Sequence, residues 1–106
     1  CAGVDGLFSL DDAVCAGTLV RQIRTSAGAE IEFNDAAMGA VEMALTFRVN
    51  AQFLASTSTG KHLIEIGLRE DLDVCAEIDR HSVVPEMDDR VIQLRSVDAG
   101  SSGPEA

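Results

Sequence analysis

Apolar residues recur along most of this chain at the three-and-four spacing of a helix. Leu10, Ala13, Val14, Ala16, Val20 and Ile23 form the first such stripe. Ser9 stands ahead of it as an N-cap, and Ser9 with Asp12 makes a near capping box, with Asp in place of the preferred Glu. Arg21 and Arg24 suit the negative end of that helix, and Gly28 marks its stop. A second stripe runs through Ala36, Ala37, Ala40, Val41, Ala44, Leu45 and Phe47, with Asn34 as its cap, and continues through Val49, Phe53 and Leu54. The small polar run from Ser56 to Gly60 is expected to break it. A short helix over 61–66 should stop at Gly67, and another is expected over 70–78.

The pattern changes at both ends. Cys1-Ala2-Gly3 reads as the end of a strand running into a loop over 4–8. Ser82 to Pro85 and Val91 to Leu94 read as two strands, with Asp88-Asp89 suited to the turn between them. The expected fold class is therefore α/β: helix-rich, with a late β-hairpin. One strand end and one hairpin do not complete a sheet. Its partners are expected upstream, so residues 1–95 are expected to be the carboxy-terminal part of a layered α/β domain. The opening at Cys1 rather than Met fits that expectation, and residues 96–106, rich in Gly and Ser, are expected to form a flexible tail. At 106 residues the chain suits one small domain and not two.

Composition narrows the function. Trp and Tyr are absent, so the stacking platforms of single-stranded nucleic-acid binders are largely missing. A net charge of −10 repels phosphate backbones and anionic lipid. No apolar run approaches the roughly 18 residues of a membrane span. Neither nucleic acid nor membrane is an expected partner, and a cytoplasmic location is expected. The three cysteines, Cys1, Cys15 and Cys75, show no C-x-x-C spacing, which disfavours a disulfide framework or a zinc knuckle. Cys15 and Cys75 fall on apolar stripes and are expected to be buried thiols. The acidity does not exclude a small anionic substrate, because a bound cation can invert the local field.

The leading candidate site is the segment from Cys1 to Asp12. Open α/β sheets bind ligands at the carboxyl ends of their strands, and helix N-termini favour anions. Gly3 and Gly6 let the backbone approach a ligand, and Asp12 supplies a carboxylate at the helix start. Helix capping is the alternative role for Asp12. Cys1 lies at the strand end and joins Asp12 as a candidate catalytic residue, although no neighbouring base marks its thiol as a nucleophile. Two other groups carry plainer readings. Glu70, Asp71, Asp73, Glu77 and Asp79 can bind Mg²⁺, but acidic residues also suit a solvated first turn. Ser58-Thr59-Gly60-Lys61-His62 departs from a P-loop, with Ala55 at the first glycine position and His62 at the Ser/Thr position.

Taken in order, these stretches resemble the second half of the 2-phosphosulfolactate phosphatases. Cys1-Ala2-Gly3, Phe8-Ser9-Leu10-Asp11-Asp12 and Cys15-Ala16-Gly17 are similar to that family's strand–loop–helix segment, with Asp11 where a Glu usually precedes the Asp. Asn34-Asp35-Ala36-Ala37 is similar to the start of its next helix. Gly60, Leu63, Ile66-Gly67, Glu70-Asp71, Cys75-Ala76, Asp79 and Val83-Val84-Pro85 resemble its closing block. Thr59 departs from the pattern, since the family often has His before the Gly. The resemblance implies a Mg²⁺-dependent phosphatase that hydrolyses 2-phosphosulfolactate to sulfolactate and phosphate, a step of the coenzyme M biosynthesis type. Asp12 would then hold the metal, Gly3 and Gly6 would lie against the substrate, and the partner would be a small anionic organophosphate. The enzyme can also assemble as a homo-oligomer.

The alternative is a non-catalytic α/β binding or assembly module, truncated or degenerate. The 106 residues expressed alone are expected to fold only marginally and to show no phosphatase turnover. Thermal unfolding followed by far-UV ellipticity, with a phosphate-release assay, checks both; a sharp transition with full turnover would contradict the expectation.

Overall fold

The computed structural model describes residues 3–27 and 30–95. The expected strand end at Cys1-Ala2, the stop at Gly28 and the tail over 96–106 lie outside the described residues. Two compact units divide the chain, residues 1–76 and 77–106. Both are small, and the fold is mixed α/β as expected: the described residues form five α-helices and two two-stranded hairpins.

The first unit opens with β1 (Gly3–Val4) paired antiparallel to β2 (Leu7–Phe8). Asp5 and Gly6 link them with φ of 52° and 77°. Positive φ at both loop positions is the type I′ hairpin geometry that an Asp-Gly pair favours. The segment expected to be a strand end followed by a loop is thus a hairpin, and all four of its strand residues are exposed. α1 (Leu10–Ala27) follows. Its first backbone bond runs from Ala13 N–H to the Ser9 carbonyl, at 3.1 Å. Ser9 is buried at 5% exposure, and its hydroxyl donates to Asp11 Oδ1 at 2.7 Å rather than engaging Asp12 as the capping-box pattern suggests.

α2 (Asp35–Thr46) begins where expected. The Asn34 side chain accepts from the Ala37 amide at 2.9 Å. The apolar stripe does not run on through Phe53 as one helix. Phe47 leaves the helix with extended backbone, and Asn50 caps a separate α3 (Ala51–Ser56) by accepting from Phe53 N–H at 2.7 Å. A second Asn cap so soon after the first forces the break, because the cap residue itself must be extended. The Phe47 and Phe53 rings meet across it, centroids 5.1 Å apart.

The polar run 56–60 breaks the chain for one residue only. Thr57 ends α3 and caps α4 (Ser58–Glu65), accepting from the buried Gly60 amide at 3.1 Å while its hydroxyl donates to the Leu54 carbonyl at 2.7 Å. α4 ends as the sequence suggests. Gly67 has φ of 84°, its amide bonds to Ile64, and the Leu68 amide reaches back to Leu63 at 2.8 Å. That pair of bonds is the Schellman closure. α5 (Glu70–Cys75) is shorter than the expected 70–78.

α1 packs on α2 more extensively than any other described pair of elements packs. Their contact buries Ala13, Val14, Ala40 and Val41. Gly17 sits in it, and a Cβ built there would fall on the Ala40 carbonyl. Leu72 of α5 is the remaining large buried apolar side chain. Cys15 and Cys75, expected in the core, are both exposed free thiols. The reason for Cys15 is narrowness: the α1–α2 contact follows Ala13, Val14 and Gly17, and a residue one step around the helix falls off it.

The second unit holds β3 (Pro85–Asp88) and β4 (Val91–Leu94), paired antiparallel. The fourth strand is placed as expected. The third starts three residues later than Ser82, and the turn is Asp89-Arg90, with φ of 48° and 66°. Register sorts the faces: Pro85 opposite Leu94 and Met87 opposite Ile92 form one, Glu86 opposite Gln93 and Asp88 opposite Val91 the other. The hairpin is therefore apolar on one side and mainly polar on the other, and every strand residue is exposed.

Two expected outcomes follow from packing. Gly17→Ala should lower the thermal midpoint, because the Ala40 backbone cannot move aside without separating the helices; a loss of about 1–3 kcal/mol is expected. Gly39→Ala, a helical position with nothing within 4 Å of the new methyl, should raise it by up to about 1 kcal/mol. Equal effects would contradict the close contact. Cys15 and Cys75 should both react with a thiol reagent in the native chain, and Cys→Ser at either should stay within about 0.5 kcal/mol of wild type.

Candidate active site at the start of α1

The segment from Gly3 to Asp12 brings three of the sequence-derived candidates onto one continuous stretch: β1, the Asp5-Gly6 turn, β2 and the first turn of α1. Cys1, the fourth, lies outside the described residues. Each glycine has a backbone reason to be there. At Gly3 a Cβ would come within 3.1 Å of the Leu7 carbonyl across the hairpin. At Gly6 the positive φ requires it, and the space a Cβ would take is open. The turn thus leaves bare backbone at Gly6 on an open side of the hairpin.

The two carboxylates differ. Asp11 Oδ1 accepts the Ser9 hydroxyl, so one of its oxygens is committed to the helix start. Asp12 is half-buried, and its carboxylate takes no hydrogen bond or ion pair from another described residue. Successive residues lie about 100° apart around a helix, so the two side chains do not share a face. Asp12 keeps a favourable place in the positive field of the first turn, with its acceptor oxygens uncommitted.

Magnesium normally keeps several waters and takes one or two protein carboxylates. Asp12 fits that requirement as a single donor. Among the described residues no group of three His, Cys, Asp or Glu gathers to enclose an ion. A metal at this place would be held from one side, open to water and substrate oxygens. The acidic set on and after α5 is exposed throughout, and Glu77 pairs with Arg80 at 3.1 Å, which accords with a solvated face.

The Ser58–His62 segment is a capped helix and not a phosphate loop. Gly60 is there for packing, since a Cβ on it would fall on the Leu54 carbonyl. Thr57, buried at 5% exposure and bonded on both sides, holds this corner together. Sequence reasoning missed it. The signal was present as Thr followed by Gly three residues on, but each of the other four residues from Ser56 to Gly60 can also cap a helix.

Residues 1–90 match the family model described as 2-phosphosulpholactate phosphatase. A Gloeobacter violaceus protein named "Probable 2-phosphosulfolactate phosphatase" is 36% identical over 85 residues, covering 79% of this chain and 34% of its own length. A Symbiobacterium thermophilum protein of the same name is 36% identical over 90 residues, covering 80% of this chain and 36% of its own. One from Clostridium tetani is 29% identical over 92 residues, with 87% and 38% covered. The chain spans about a third of the length of these curated relatives. No solved structure matches it significantly. With a match over nearly all of its length outside the tail, the chain belongs to the 2-phosphosulpholactate phosphatase family.

Proposed function

We propose that this chain contributes to a Mg²⁺-dependent phosphatase that hydrolyses 2-phosphosulfolactate to sulfolactate and phosphate, a reaction of the coenzyme M biosynthesis type carried out in the cytoplasm. The observation that carries the reading is the family match over residues 1–90. The half-buried, uncommitted carboxylate of Asp12 at the start of α1 supports it.

The substrate carries phosphate, carboxylate and sulfonate, all anionic, and the chain itself carries −10. Attraction between them needs a cation. Bound Mg²⁺ would neutralise phosphoryl oxygens and polarise phosphorus. In this reading Asp12 holds the ion, directly or through a water. Asp11 has one oxygen engaged by the Ser9 hydroxyl. The open backbone at Gly6 leaves room for the substrate to approach there without a side chain in the way, and Gly3 is the second proposed substrate-contact position. Cys1 is the remaining candidate catalytic group, and the proposed assembly is a homo-oligomer.

Asp12→Asn tests the metal role, in a protein of the relatives' full length that contains these residues. Asn is a poorer Mg²⁺ ligand and removes one charge from the first turn, worth about 0.3–1 kcal/mol of stability. A metal role predicts at least a tenfold fall in kcat, partly restored by raising Mg²⁺, with the thermal midpoint close to wild type. Wild-type turnover with wild-type Mg²⁺ dependence would reduce Asp12 to a helix-dipole partner.

A further inference from the structure

We draw no further inference here: the strongest candidate, the apolar face of the β3–β4 hairpin formed by Pro85, Met87, Ile92 and Leu94, is exposed along its length, and nothing in the structure shows what covers it.

Discussion

The contact of α1 with α2 through Gly17 is the constraint on which the first unit depends. Without a side chain at Gly17, the helix can meet the Ala40 backbone directly. That proximity lets residues as small as Ala13, Val14, Ala40 and Val41 bury one another almost completely. Larger side chains at these positions would push the helices apart and open the contact. A second contact of the same type joins α3 and α4, where Gly60 lies against the Leu54 carbonyl. Both contacts trade side-chain volume for nearness, which suits a chain with no Trp or Tyr to fill wider gaps.

A core this narrow leaves much apolar surface uncovered. Leu19 and Ile23 on α1, Met38 and Leu45 on α2, and Met87, Ile92 and Leu94 on the hairpin are all at least half exposed. Isolated exposed apolar residues are ordinary. Here they recur on nearly every element, and the hairpin's lie together on one face. A two-stranded hairpin is at best marginal in water unless an apolar face is packed. The same sequence pattern that marks helices by their stripes therefore overstates how much of each stripe this structure buries.

The sequence made the helices legible because their ends carry chemical signals. Asn34 and Gly67 occupy the positions their side chain and φ demand, and both helix ends could be placed from them. What periodicity could not resolve was where one stripe belongs to two helices. Phe47 and Leu54 fit a single stripe by spacing, yet Asn50 sets a break between them, and the Phe47 and Phe53 rings meet across it. Exposure was equally hidden. Cys15 has the spacing of a core residue and lies one step off the contact line. Strand boundaries failed for a related reason: Val83 and Val84 have strand propensity, but the ladder is fixed by the two-residue turn at Asp89-Arg90, which pairs Asp88 with Val91. Gly3 and Gly6 were read as ligand-approach positions, while the Asp-Gly hairpin signal at Asp5-Gly6, where both φ values are positive, went unused.

At the candidate site, legibility stopped at the difference between adjacent carboxylates. A capping box counts three residues from Ser9 and arrives at Asp12. The structure spends Ser9 on Asp11 instead. The exchange matters for chemistry, because one Asp11 oxygen is engaged by the Ser9 hydroxyl, while Asp12 has no such partner among the described residues. Ser9 follows the hairpin and precedes α1; it is buried, and its hydroxyl donates to the nearer of the two acids. Asp12 then stands in the first turn with the helix field behind it and its acceptors open. The positive end of α1 suits a negative group at this place and opposes a nearby cation, so a cation held by Asp12 alone would need further negative groups beside it.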